Sequence, residues 1–201
     1  MSYQLYDTND ATVEPVTLSE LKSSLNITSS DKDTFLTSLI KPARIKAEQY
    51  TKRYLRVGNT SKSAIYRLFL DKFPNEGDRE IKIYMCPVVS ITSIYYYNPS
   101  GTLTLLDSSY YNTDIISEPA RIAESYNKTW PGIQDRINAI YIEFQAGYQL
   151  SANVPESIKQ AIMMIAGHFN ENPIDVVTGT QVNEIPQSSK WLLDDFRINR
   201  I

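Results

Sequence analysis

The stretch Val154-Pro155-Glu156-Ser157-Ile158-Lys159-Gln160-Ala161-Ile162-Met163-Met164-Ile165-Ala166-Gly167-His168-Phe169-Asn170-Glu171-Asn172-Pro173 decides how the rest of the chain is read. Ile158, Ala161, Ile162, Ile165 and Phe169 recur at three- and four-residue spacing, the period of one helix face. Pro155 suits a first helical position, where its missing N–H would be unpaired anyway, and Glu156 suits the positive end of the helix dipole. Asn172-Pro173 closes the run. Residues 174–185 then carry Val176, Val177, Val182 and Ile185 without helical period, and an aromatic-rich segment, Trp191-Leu192-Leu193-Asp194-Asp195-Phe196-Arg197-Ile198, ends the sequence. A terminal helix of about ten residues is marginal alone in water, so this one must dock on its own body or on a neighbouring subunit.

Working towards the N-terminus, the period stays helical and then changes. Thr17 with Glu20 reads as a capping box, Val16 can staple to Leu21, and Leu18, Leu21 and Leu25 give a short helix one apolar edge. Ser30 with Asp33 suggests a second capped start. From there Leu36, Leu39, Ile40, Ala43, Ala47, Tyr50 and Tyr54 step by three and four over five turns. Pro42 falls inside this helix and predicts a kink near Ser38. Residues 64–148 have a period of two. Ile65, Arg67 and Phe69 suggest one strand, Ile81, Ile83 and Met85 another, with a turn at residues 74–78 between them. Residues 91–97 and 103–106 flank a hairpin-like Asn98-Pro99-Ser100-Gly101, and residues 110–116 and 137–144 complete an antiparallel block of five to seven strands. The expected architecture is α+β: residues 1–62 and 151–201 form a helical core, and residues 63–150 form an inserted antiparallel β domain.

With 201 residues, 42% hydrophobic and 21% charged, the chain suits one domain, or a core with one large insertion. Its apolar runs are far short of the roughly 20 residues a membrane span needs, and its first ten residues lack the basic and apolar regions of a secretory signal. The single cysteine, Cys86, cannot form an internal disulfide and reads as a buried thiol in a reducing cytoplasm. A net charge of −3 argues against general nucleic-acid binding. Locally the sign varies: residues 31–56 hold seven Lys/Arg against three Asp/Glu, whereas residues 155–201 hold four against six. Opposite signs on two parts of one chain are useful if copies meet side by side.

Few residues point to chemistry. His168 is the only histidine, which rules out a two-histidine metal site, and one cysteine rules out a structural zinc site within one chain. His168 and Glu171 have acid–base spacing but no nucleophile or third ligand; the simpler reading is a helix-end histidine stabilised by the dipole. None of the seven glycines sits in a phosphate-binding pattern. Asp194 and Asp195 point about 100° apart on a helix, so they form no catalytic dyad. Neither a catalytic site nor a cofactor is expected.

Three surfaces suit contact instead. Lys41, Arg44, Lys52, Arg53 and Arg56 form a basic helix face that can pair with acids on an adjacent copy, touch passing DNA, or stay solvated. Fourteen tyrosines, with Tyr95-Tyr96-Tyr97 among them, suit either partly wet interfaces or simple strand propensity. Trp191, Leu192, Phe196 and Ile198 are anchors for a helix-in-groove contact, with the chain's own helices as the alternative groove.

The order of these features carries a resemblance. The pattern VPxxIxxAI…HxxExP, a spacer holding Gly179, and EIPxxxxxLLxxxR resemble the end of the tailed-phage head–tail connector (adaptor) family. Pro15-Val16-Thr17-Leu18-Ser19-Glu20-Leu21-Lys22, Asp31, Asp33 and Glu48-Gln49-Tyr50-Thr51 resemble its opening. Pro87-Val88-Val89-Ser90-Ile91, Arg121-Ile122, Trp130-Pro131 and Phe144-Gln145-Ala146-Gly147-Tyr148 resemble its longer branch, which has a β insertion between the helices. Pro42 and Gln145 depart from the family pattern. The resemblance implies a non-enzymatic virion protein, made in the host bacterial cytoplasm, that forms a homo-oligomeric ring of about twelve copies beneath the portal. It implies that DNA passes through without sequence-specific binding, that stopper or tail proteins dock below, and that no membrane is involved. Carried onto this chain, it implies portal contact through Pro186, Trp191, Leu192, Phe196, Arg197 and Ile198, and lateral contact through Lys41, Arg44, Lys52, Arg53 and Arg56. Another head-completion or tail-terminator component, or a phage wall hydrolase, are the competing readings.

Overall fold

The expected capping box forms and starts helix α1 (Leu18–Ser24): the Glu20 amide donates to Thr17 Oγ1 at 3.2 Å, and the Thr17 amide donates back to Glu20 Oε2 at 2.7 Å. The same helix ends on Asn26, whose φ of 55° lets Ile27 N–H reach the Lys22 carbonyl at 2.9 Å and Asn26 N–H reach Ser23 at 3.3 Å. That is the Schellman pattern, with asparagine in the left-handed position usually given to glycine. The computed structural model describes residues 2–5, 13–57, 64–74, 80–172 and 187–198. The turn expected at residues 74–78 and the spacer at 174–185 lie outside these, apart from Pro74.

Helix α2 (Asp33–Thr51) runs unbroken across Pro42. Pro42 and Ser38 are both exposed, and Pro42 leaves the Ser38 carbonyl without its helical donor. Two expectations fail at its ends. The start is Lys32, without a side-chain cap; Asp33 instead pairs with Lys22 of α1 at 2.6 Å. The end is Thr51, because Lys52 turns left-handed (φ 60°) and throws Tyr54 out of the helical stripe. Tyr54 packs edge-on against Tyr66 of the β block, ring centres 5.1 Å apart. Helix α3 (Glu156–Glu171) starts one residue later than read, with Pro155 at the cap position. It is buried round most of its girth, since α1, α2 and the terminal helix α4 (Gln187–Asp194) all pack on it.

The β block has two sheets. Strands β1 (Ser2–Leu5), β2 (Ala64–Leu70), β8 (Ile140–Ala146), β4 (Val88–Tyr97) and β5 (Leu103–Leu105) make an antiparallel sheet in the order β1-β2-β8-β4-β5. Strands β3 (Glu80–Ile83), β7 (Ala120–Glu124) and β6 (Tyr111–Asp114) make a smaller one in the order β3-β7-β6. Strands β2 and β3 therefore belong to different sheets and form no hairpin. In β2 the inward residues are Tyr66, Leu68 and Leu70, so Ile65, Arg67 and Phe69, which marked the strand in the sequence, form its outer face. Arg67 meets Glu143 there at 2.6 Å, and Ser93 donates to the same carboxylate at 3.0 Å. The tyrosine run divides as alternation requires: Tyr96 joins the core, while Tyr95 stacks on Tyr141 at 4.9 Å and Tyr97 lies beneath Arg136 at 3.9 Å.

Two apolar clusters result. One fills the space between the sheets with Leu68, Ile81, Ile83, Ile94, Ile122, Ile142 and Phe144. The other joins Leu21, Leu36, Ile40, Ala43, Ala47 and Leu55 to Val154, Ile158, Ala161, Ile162 and Ile165 from the far side of the insertion. They meet at a narrow seam. Tyr54 N–H donates to the Cys86 carbonyl, Gly147 N–H to Pro87, and Tyr148 N–H to Arg56, all at 2.9–3.0 Å. Cys86 is fully buried there, and burial pushes its thiol pKa up.

Gly147 has a φ of 96°, and a β-carbon on it would stand 2.6 Å from the Arg56 carbonyl oxygen. Gly147→Ala is expected to lower unfolding stability by about 2–3 kcal/mol, through left-handed strain and a backbone clash. A urea midpoint equal to that of the parent chain would show that the seam relaxes without cost.

Candidate assembly interface

The terminal helix is docked on its own chain. Its buried side is Ser189 and Leu193, both at 0% exposure, followed by half-buried Phe196 and by Ile198 at 6%. Fixing eight residues as a helix is unfavourable alone, and burying side chains such as Leu193 and Ile198 offsets this by about 1.5–3 kcal/mol each. Polar contacts set the orientation. Tyr50 donates its phenol proton to Asp194 at 2.6 Å, which raises the phenol pKa, and the Ile198 amide donates to the Thr51 carbonyl at 2.9 Å. Arg197 lies over the Tyr50 ring at 5.5 Å.

Arg53 ties three elements together. Its guanidinium donates to the Phe196 carbonyl, lies 6.0 Å over the Phe196 ring, and pairs through two nitrogens with Glu118 of the β6–β7 loop. Burial works against its charge, but the Glu118 carboxylate outweighs that and raises the pKa. A cleft of about 730 Å³ lies beside it, lined by Arg53, Glu80, Glu118, Arg121, Asp195 and Arg197.

Of the basic face read from the sequence, only part is a face. Arg44 is 2% exposed: its guanidinium bonds Glu14 at 2.6 Å and Glu48 at 2.8 Å. Burial disfavours its charge, yet the two carboxylates raise its pKa overall. Glu48 in turn accepts the Leu55 amide at 2.9 Å, which fixes the chain as it leaves α2. Arg44, buried, and Arg53, half-buried, are thus engaged within the chain itself. Arg56 is half-buried at the seam, where its Nε is buried and has no hydrogen-bond partner among the described residues. Lys41 and Lys52 are exposed, and among the described residues neither has an ion pair.

The C-terminal candidates divide likewise. Leu192 and Phe196 pack on the helical cluster, Ile198 is buried beside the cleft, Trp191 is 67% exposed, Arg197 is exposed, and Pro186 lies outside the described residues. Sequence reasoning missed Leu193, which is fully buried. Its signal was the spacing of Ser189, Leu193 and Phe196 at i, i+4 and i+7, hidden because Ser189 is small and polar. It also missed Glu118, which no local pattern could join to Arg53. His168 sits at the end of α3 with Nδ1 3.3 Å from the Asn172 amide, and among the described residues no group of three or more His, Cys, Asp or Glu is arranged to hold a metal.

What these side chains do is hold helices and sheets together, which defines a small α+β scaffold module. Residues 15–139 match the family model described as phage gp6-like head-tail connector protein. The chain belongs to this head–tail connector family. Solved structures share the fold at low sequence identity. A chain in the neck of an empty gene transfer agent particle, computed with C6 symmetry, has a TM-score of 0.71 at 20% identity, over 100% of this chain and 97% of that one. A chain in the virion of a native gene transfer agent particle has a TM-score of 0.69 at 19% identity, with the same coverage. A third, in the neck of the native particle computed with C12 symmetry, has 0.65 at 19%, covering 96% of both chains. No curated protein sequence matches.

Phe196→Ala removes both the ring under Arg53 and part of the helix's apolar side. The expected result is amide exchange at least about tenfold faster in residues 187–198, with exchange in α2 unchanged. Equal protection in both proteins would show that Leu193 and the Ile198–Thr51 bond hold the segment alone.

Proposed function

We propose that this chain is a structural connector that assembles as a closed ring beneath the portal of a tailed-phage-like particle. The ring extends the channel through which DNA leaves the head and gives stopper or tail proteins a platform. It occupies the head–tail interface of the virion after synthesis in the host bacterial cytoplasm. The observation that carries this reading is a likeness of fold over nearly the whole chain to proteins in necks solved with C6 and C12 symmetry, within a family of connectors. Residues 1–62, apart from Ser2–Leu5, which pair with β2, and residues 151–201 act as the ring-forming helical scaffold, and residues 63–150 as an inserted β domain carried on it.

Two features of the surface support side-by-side assembly. Lys41 and Lys46 are exposed on α2, and Trp191 is exposed on α4. Because the overall charge is −3, channel DNA meets no strongly cationic protein, which suits a conduit without sequence preference. The inward residues of the C-terminal segment are already occupied, so what it offers a neighbour in the neck is its outer side.

The test is to mix the purified full chain with the portal of the same particle and measure mass by light scattering, with electron microscopy of the product. A portal capped by a closed ring of this chain is expected. Failure to bind the portal, together with binding to stopper or tail proteins, would reassign the chain to another head-completion component.

A further inference from the structure

Among the described residues the five-stranded sheet ends on β1 at one edge and β5 at the other. Its ladder bonds give the direction of the peptide groups on β5. Asn98 N–H donates to the Thr102 carbonyl at 3.0 Å, Leu106 N–H donates to the Ile94 carbonyl at 2.8 Å, and Tyr96 stands opposite Thr104 between them. Bonded positions alternate in an antiparallel pair, so Thr102, Thr104 and Leu106 turn their peptide groups to β4. Leu103 and Leu105 turn theirs outward, where they meet no partner among the described residues. Their side chains are 42% and 56% exposed. Edges are commonly guarded by a charge, a proline or a bulge, and Leu103-Thr104-Leu105 has none of these.

The alternation carries across the sheet. Tyr97 N–H donates to the Ala139 carbonyl at 2.9 Å, so Tyr95 is a bonded partner of Tyr141. By the same rule Leu68 bonds Ile142, and Gln4 bonds Arg67. The peptide groups of Tyr3 and Leu5 therefore face the other edge. Strand direction reverses at each step of the order β1-β2-β8-β4-β5, so β1 and β5 run the same way. A copy related by rotation about a ring axis keeps both strand direction and sheet face. Its β1 comes to lie parallel to β5, with Ser2 opposite Leu103 and Gln4 opposite Leu105. Leu105 N–H then points at the Tyr3 carbonyl, Tyr3 N–H at the Leu103 carbonyl, and Leu5 N–H at the Leu105 carbonyl. That is the slanted bonding of a parallel ladder. Two like edges would instead pair through a two-fold axis and stop at a dimer.

We infer that β1 of one copy adds to β5 of the next, so that the large sheets of neighbouring β domains join edge to edge. This rests on the ring reading proposed above and gives the ring a lateral contact outside its helical core. The peptide groups set direction and register, and the joined strand covers the two leucines.

Gln4→Cys with Leu105→Cys in one chain tests this. Within a chain the two positions are four strand spacings, about 19 Å, apart, too far for a disulfide. The native Cys86 is fully buried. Rings of this variant assembled on the purified portal and then oxidised are expected to run as covalent multimers on a non-reducing gel. Rings that stay uncross-linked, both with this pair and with Gln4→Cys and Leu103→Cys, overturn the contact while the ring reading stands. A photo-reactive benzoylphenylalanine in place of Leu105 that labels the portal and not a second copy overturns it likewise. A parent chain that forms no ring on the portal overturns the ring reading itself. Independently, Leu105→Pro removes an outward N–H and leaves the β4 pairing to Thr104. It is expected to raise the concentration needed for half-assembly about tenfold, while Leu105→Val, which keeps the N–H, stays near the parent. A melting curve shared by the two variants verifies folding, and equal assembly of the two overturns the strand addition.

Discussion

Close packing of α2 on α3 is the constraint from which the rest of this structure follows. The two helices are separated in sequence by the whole β block, yet Ala43 and Ala47 on one and Ala161 on the other are fully buried. Small side chains let the two backbones approach, and Leu36, Ile40, Ile158 and Ile162 then seal the contact. A β-carbon on Gly167 would stand 2.9 Å from a Leu25 methyl, so α1 is seated as tightly on the other side of α3. Once this pair is formed, the insertion has both ends fixed and α4 has a groove to enter.

The periodic parts of this arrangement were legible in the sequence. The α3 stripe, the capping box at Thr17 and the alternation at Ile81 and Ile83 each depend on neighbours a few residues apart, and each forms as read. What was not legible depends on distant partners. Nothing near Arg44 in sequence says that Glu14 will meet it, so a buried cation looked like one more member of a solvated face. The outer row of β2 was mistaken for its signature because Ile65 and Phe69 are as apolar as the inward Leu68. The end of α2 was misplaced because Tyr54 keeps the helical period by coincidence while belonging to the other cluster. Strand β7 went unread: Ala120 and Ile122 are two inward residues among charged ones, too few to show a period.

The arginines show how the same residue type can serve opposite ends. Arg44 is an internal tie whose two carboxylates fix the N-terminal segment at Glu14 and the departure from α2 at Glu48. Arg53 couples the small sheet to the C-terminal segment. Lysines, with a compact and strongly hydrated charge, remain on the surface of the same helix. Charge count along a helix therefore says little about which surface a protein shows. The planar, many-donor group goes inward where carboxylates converge, and the exposed face is left to the residue that holds its water.

The seam between the clusters has an evolutionary reading. The chain enters the β block beside the place where it leaves, since Val57 pairs with Tyr148 and Val13 with Val57. To the helical core, the insertion is a stem of adjacent strands, and its length or shape can change without moving a helix. A lineage can exchange what sits on that stem while keeping the helical core, much as a tool handle accepts different heads. The cost of each exchange is set by a few backbone contacts, with Gly147 against the Arg56 carbonyl the least tolerant of them.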